Sequence, residues 1–405
     1  MNSPAPIRST GAFRLATFLR AIAEGLFTVA LPFQAIQLGA GPAQLGAVGS
    51  LSSGSYTAGC LMFARLIGRI PLRGGALIAL IILSALALAI AYVPSLAFLY
   101  VLVVVTGVAT SLFWPPVMTW LASHTGNRGM TREFGAFNLS WCAGFPIGLA
   151  VGGYMFETNP QLPYIAVCVV TLAAAAILWL FTGSGKTQLG RDSRSLKTNG
   201  GGGDALPVED AVEPPNLTAR ARTFLFMGWI SMFSTYFVSG NFRYQLPKLT
   251  KSVGMGEGTF GALMFLVAAA QLVMFLILMH TERWHFKRGL LWSAQVVVAL
   301  SALLVYFSVQ PLVLAGAFLL AGAGMGVTYF SSQYYGIRSP LGRGRRAAIH
   351  EALIGSGYLA GAFCGGQFAR AYSLRAPYLA SVFVLLALLM VQIVLDRYRR
   401  ASRGR

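Results

Sequence analysis

The chain has 405 residues, of which 56% are hydrophobic and 11% charged. A soluble domain carries about 25% charged residues, so there are too few polar side chains to cover a water-facing globule, and lipid is the expected solvent. The net charge of +19 would suggest nucleic acid in a soluble protein. In a chain this apolar it points instead to basic cytoplasmic loops, with no nucleic-acid partner.

A helix crossing hydrocarbon needs about 20 mostly apolar residues. Met1 to Thr10 is short and polar, without a separate signal-peptide core, so the first apolar run reads as a retained span. In chain order the predicted spans are Ala16 to Gln37, Leu45 to Leu66, Ala76 to Val93, Ala97 to Leu121, Phe134 to Phe156 and Pro163 to Phe181. A polar stretch from Thr182 to Ala219 follows, with Gly200 to Gly203, Asp204, Glu209, Glu213 and Pro214. It lacks hydrophobic periodicity and reads as a flexible cytoplasmic linker. Six further spans are expected at Arg222 to Phe242, Thr259 to Met279, Leu290 to Phe307, Leu312 to Ser331, Ala347 to Phe368 and Pro377 to Val394. The predicted organisation is therefore a six-helix bundle over residues 1–181, a linker over 182–219, and a second six-helix bundle with a basic tail over 220–405.

Loop charges test this arrangement. With both termini placed in the cytoplasm, outward loops hold Arg243, Lys248, Lys251, Arg370 and Arg375, and the other 26 of the 31 Lys and Arg fall on the inward side. That asymmetry is what the positive-inside rule predicts for an even number of spans. The expected location is the cytoplasmic (inner) membrane, with both termini cytoplasmic.

The two halves resemble each other. Thr17-Phe-Leu matches Thr223-Phe-Leu, Gly46-Ala47 matches Gly261-Ala262, and Gly152-Gly153 matches Gly365-Gly366, at offsets of 206, 215 and 213. Parallel repeats of this kind place a substrate cavity between the halves. On these features the chain resembles the major facilitator superfamily. The loop after the second span keeps the family's Gly-Arg pair as Gly68-Arg69, but Arg65 stands where that loop usually carries Asp. The resemblance implies an all-α membrane fold of two pseudo-symmetric six-helix bundles, a monomer, and transport of a small solute by alternating access.

Glycines four apart share a helix face and let another helix approach closely. The fifth span carries Gly144, Gly148, Gly152 and Gly153 around Pro146, and the eleventh carries Gly357, Gly361 and Gly365. They read as tight packing, as a sliding surface between halves, or both. The fifth-span pattern is a loosened form of the family exporters' motif and favours export over uptake.

Candidate chemistry begins with Glu24, a carboxylate inside the first span, where an ionisable group normally faces a cavity or a partner. Arg20 lies one turn earlier on the same face. The pair reads either as a proton-carrying acid biased by its neighbour or as a fixed structural ion pair. His350 and Glu351 open the eleventh span, Glu351 standing opposite Asn138 in the repeat. They read as an interfacial cap or as a gate or proton site. Gln34, Trp114, Asn138, Trp141, Asn241, Arg243, Gln271, Tyr329 and Gln333 are cavity candidates, with Arg243 the candidate for binding an anion. Trp114 precedes Pro115-Pro116, an expected helix break.

Cys60, Cys142, Cys168 and Cys364 are dispersed in apolar runs and suggest no metal or disulfide framework. Gly185-Lys186-Thr187 lacks the preceding glycine of a phosphate loop. No cofactor or enzymatic motif is expected. Protons are the expected coupling ion, and the alternative is a membrane sensor or scaffold that keeps the fold without transport.

Overall fold

The computed structural model describes residues 7–66, 72–114, 117, 130–182, 215–337 and 343–401. The loop with Gly68-Arg69, residues 183–214 of the expected linker and Gly185-Lys186-Thr187 lie outside the described residues, and so does the side chain of Arg65. Thirteen α-helices and no strand occur among the described residues. The first half contains α1 (Ile7–Gln37), α2 (Pro42–Leu66), α3 (Leu72–Ala91), α4 (Leu96–Ser111), α5 (Met130–Thr158) and α6 (Leu162–Phe181). The second contains α7 (Pro215–Tyr244), α8 (Leu246–Ser252), α9 (Glu257–Met279), α10 (Arg288–Phe307), α11 (Pro311–Ile337), α12 (Arg343–Ala371) and α13 (Ala376–Ala401). Helix α7 starts at Pro215, inside the expected linker. Helix α4 ends at Ser111, just ahead of the Pro115-Pro116 pair.

The seven-residue α8 has no separate counterpart among the predicted spans, and the repeat explains it. Gly39 and Gly254 both take positive φ, 84° and 78°, where a side chain would be strained. The residue after each donates its amide to an equivalent carbonyl, Ala40 to Ala35 and Met255 to Thr250. The two turns correspond at an offset of 215, so α8 is the second copy of the end of α1, and Pro247 is the counterpart of Pro32. The helix runs through Pro32 in the first copy and breaks at Gln245 in the second. Twelve membrane passes remain.

Among the described residues, eight helices are long and apolar enough to cross a membrane, and α4 is a shorter apolar one. The less apolar α2, α7 and α12 pack on one another in the middle of the molecule, α12 lying against both of the others. The outer faces are hydrocarbon-like: Ile78 and Ile81 on α3, Val169 and Trp179 on α6, and Phe383 and Met390 on α13 are all more than half exposed. Such a surface is stable in lipid, not in water.

The halves touch along two seams, α2 against α12 and α5 against α9, and both are built on glycine. A Cβ added to Gly46 would stand 2.5 Å from the Ala362 carbonyl oxygen and 3.0 Å from the Gly366 Cα. A Cβ on Gly261 would stand 2.6 Å from the Leu149 oxygen and 3.4 Å from the Gly153 Cα. These crossings are two copies of one contact, related by offsets of 215 and 213. The same geometry corrects part of the sequence repeat. Gly144 packs on Phe18 of α1 and Gly357 on Phe233 of α7, so α1 and α7 correspond at 215. The Thr17/Thr223 match at 206 is coincidental.

The seams close the bundle at the end remote from the chain termini, here called distal. Phe33 of α1 meets Phe260 of α9 edge-on at 5.4 Å, and both are fully buried. Lys248 donates to the Ala40 carbonyl at 2.7 Å, and Glu157 accepts the Gly258 amide at 2.9 Å, capping α9 from across the seam. Among the described residues, every hydrogen bond between halves lies at Tyr56–Glu351 or on its distal side.

A methyl group at the seam has no room. Gly366→Ala places a Cβ 2.8 Å from the Pro42 oxygen and is expected to lower stability by about 1–3 kcal/mol through overpacking. Gly316→Ala, with nothing within 4 Å, is expected to be neutral or stabilising by up to about 1 kcal/mol through helix propensity. Thermal melts in detergent measure both, and equal effects contradict the seam.

Candidate functional site

A cavity of about 210 Å³ lies between the halves. Helices of both halves line it: α1 to α6 from the first, and α7, α9, α11 and α12 from the second. Most of the wall is apolar or aromatic, with a few polar groups converging on it, as a small-molecule site requires.

One wall is α1. The i, i+4 spacing puts Arg20 and Glu24 on the cavity face, and Arg20 Nη1 lies 3.5 Å from Glu24 Oε2. Arg20 Nη2 also donates to Thr110 Oγ1 of α4 at 3.4 Å. Their side chains are 7% and 26% exposed, so Arg20 is held in the helix packing while Glu24 reaches the open space. Glu24 Oε2 has no hydrogen-bond donor. A carboxylate held by one long ion pair keeps capacity for another donor, a proton included.

The facing wall comes from the second half. Glu351 of α12 accepts a hydrogen bond from the Tyr56 hydroxyl of α2 at 3.1 Å. Arg243 of α7 donates to Thr28 Oγ1 of α1 at 2.6 Å. Its guanidinium sits 5.7 Å from the Tyr244 ring and 5.6 Å from the Tyr358 ring. Gln271 of α9 lines the cavity with its Nε2 buried and unpartnered. Trp141 stacks on Phe145 one turn away, the planes 12° apart and the centroids at 5.7 Å.

The structure therefore brings together Arg20, Glu24, Trp114, Trp141, Arg243, Gln271, Tyr329 and Glu351. It places the other candidates elsewhere. Gln34 is buried near the distal seal, away from the cavity lining. Asn241 donates to Ser381 of α13 at 2.8 Å and ties the second half together. Gln333 donates to the Tyr329 hydroxyl at 3.2 Å, outside the lining. His350 points at α11, its Nδ1 3.0 Å from Ser332 Oγ and its ring edge-on to Tyr329. The Asn138 side chain lies outside the described residues.

The glycine rows divide by face. Gly144, Gly148 and Gly152 pack α5 against α1, and Gly357, Gly361 and Gly365 pack α12 against α7, within each half. One residue further round the helix, Gly153 and Gly366 meet the opposite half. On these two helices Gly153, Gly355 and Gly366 meet the opposite half, and the rows themselves join helices of one bundle.

Sequence reasoning missed Tyr56, Tyr236 and Tyr358, all lining the cavity. Tyr56 had a signal: Ser52-Ser53-Gly54-Ser55-Tyr56-Thr57 is a polar run inside a span. Tyr236 and Tyr358 look like ordinary aromatic residues of apolar helices until the fold stacks them edge-on at 5.1 Å.

The model of the Major Facilitator Superfamily matches residues 14–340. No curated protein sequence matches the chain. Solved structures match it over nearly its whole length. The nucleoside transporter NupG (D323A mutant) aligns with TM-score 0.70 and 13% identity, covering 95% of this chain and 99% of its own. A bacterial homologue of the human lysosomal transporter Spinster, in an inward-facing and occupied conformation, aligns with TM-score 0.73 and 14% identity over 98% of each chain. A POT family transporter in complex with a thioalcohol-conjugated peptide gives TM-score 0.73 and 12% identity over 96% of each. At these identities the likeness speaks to the fold, and the family model to descent: the chain is a membrane transporter-fold protein belonging to the Major Facilitator Superfamily.

Proposed function

We propose that the protein is a secondary active transporter that moves a small solute across the cytoplasmic membrane by alternating access, coupled to protons through Glu24. The observation that carries this reading is the Arg20–Glu24 pair, buried in a span and facing a cavity at the seam of two pseudo-symmetric halves. A carboxylate at that depth is costly to keep charged. Its guanidinium partner offsets the cost from 3.5 Å without forming a hydrogen bond to Oε2. Protonation of Glu24 weakens the pair and shifts the balance between conformations, which is the differential interaction that coupling requires.

The loop-charge asymmetry supports placing both termini in the cytoplasm, so the distal seal faces outward and the described conformation is closed to the outside. The glycine pattern of α5 favours export, with solute leaving as protons enter. Both walls of the cavity belong to one chain, so a monomer suffices.

The test uses purified protein in proteoliposomes, with a solute first identified by thermal shift, since a ligand stabilises the native state by mass action. Wild type is expected to accumulate or expel the solute when a pH gradient is imposed. Glu24→Gln is expected to keep solute exchange at equal pH and to lose gradient-driven movement, down to the level of protein-free liposomes. Gradient-driven movement persisting in Glu24→Gln contradicts the proton role. Binding with no flux under any gradient contradicts transport and favours a sensor.

A further inference from the structure

The cavity holds four formal charges, and they are not matched two by two. Arg20 and Glu24 neutralise each other on one helix. Arg243 and Glu351 have no such partner: among the described residues, no carboxylate lies within ion-pair distance of Arg243 and no cation within that distance of Glu351. Glu24 acts on both only through space, beyond contact. The groups that touch them are neutral. Thr28, Tyr244 and Tyr358 fix the Arg243 guanidinium, and its Nε is buried without an acceptor. Tyr56 fixes Glu351, and Tyr236 and Tyr329 line the same cavity.

An uncompensated charge in a low-dielectric interior is strongly unfavourable. Here two occur, of opposite sign, and both line the same small cavity. Their spacing along the cavity can be gauged on α12. Arg243 stacks on Tyr358, which lies two helical turns from Glu351, roughly 10 Å along the axis. A ligand of one sign satisfies one group and leaves the other exposed to the same penalty. A ligand carrying both signs satisfies both. Guanidinium is a forked donor suited to a carboxylate. A carboxylate beside tyrosine faces suits an ammonium.

We propose that the cavity binds a small zwitterion, its carboxylate on Arg243 and its protonated amine on Glu351. The body that carries both groups is apolar or aromatic and lies against Tyr236, Trp141 and Phe145. The inference rests on the reading of this cavity as the solute site and adds the class of solute. It also divides the work of the two carboxylates, Glu24 for the proton and Glu351 for the solute's amine.

Thermal shift of the full-length protein in detergent tests it with three zwitterions, each set against the same skeleton lacking one charge. L-phenylalanine is compared with 3-phenylpropionate and phenethylamine, L-leucine with 4-methylpentanoate and 3-methylbutylamine, and 4-aminobutyrate with butyrate and propylamine. At least one zwitterion is expected to raise Tm more than both of its singly charged counterparts at equal concentration. Arg243→Gln is expected to abolish that shift, and Glu351→Gln to transfer the preference to the monocarboxylate. A monocarboxylate that stabilises wild type as well as its zwitterion overturns the proposal, as does a panel in which no zwitterion exceeds its counterparts. The wild-type comparison decides even where a variant fails to fold. Loading the same probes into proteoliposomes separates the two readings. Binding without flux leaves the site assignment standing and removes transport; gradient-driven flux of some other solute does the reverse.

Discussion

Two glycine crossings, Gly46 on Gly366 and Gly261 on Gly153, set the distance at which the halves of this protein meet. With no hydrophobic effect to drive helices together in lipid, association rests on close packing, and close packing needs small residues where backbones cross. Each crossing brings a helix to within van der Waals reach of its partner's carbonyls. The distal aromatic seal around Phe33 and Phe260 and the bonds from Lys248 and Glu157 depend on that approach. So does the cavity, which is the space left where the seams hold the other helices apart.

The glycines fall into two sets. The rows at Gly144, Gly148 and Gly152 and at Gly357, Gly361 and Gly365 pack helices closely within a half. Gly153 and Gly366 stand at the joint between halves. The charged cavity residues lie where the two copies of the repeat differ. Thr28 and Arg243 occupy equivalent places and hydrogen-bond each other, while Glu24 has Ser239 as its counterpart and Glu351 has Asn138. Duplication supplies the symmetric frame, and substitution in one copy supplies the charges.

Much of the fold was legible in the sequence because the bilayer imposes a length and a polarity on each span. Apolar runs and loop charges are local quantities, and they located the twelve passes. The glycine doublets carried the repeat because backbone contact tolerates no other residue. Thr17 and Thr223 misled because nothing physical constrains that match. Helix α8 escaped because its counterpart is the unbroken end of α1, and the difference lies in backbone continuity, not in composition. Of the site, the charged residues stood out because a charge in a span is costly wherever it is. Gln34, Asn241 and His350 stood out as polar groups in spans, but Asn241 and His350 bond packing partners and Gln34 is buried beside the seal, which no spacing rule reveals. Tyr236 and Tyr358 have no sequence mark, since their role arises from being brought face to edge by helices far apart in the chain.

We propose that the halves rock about these crossings and open the distal end. Spin labels on Gln44 of α2 and Phe368 of α12, both exposed near that end, read it directly once the four native cysteines are replaced. Pulsed electron–electron distance measurements in lipid are expected to give two populations, a short one matching the closed seam and a longer one, with a ratio that responds to pH. A single narrow distribution, unchanged by pH and by any solute that binds, contradicts the account.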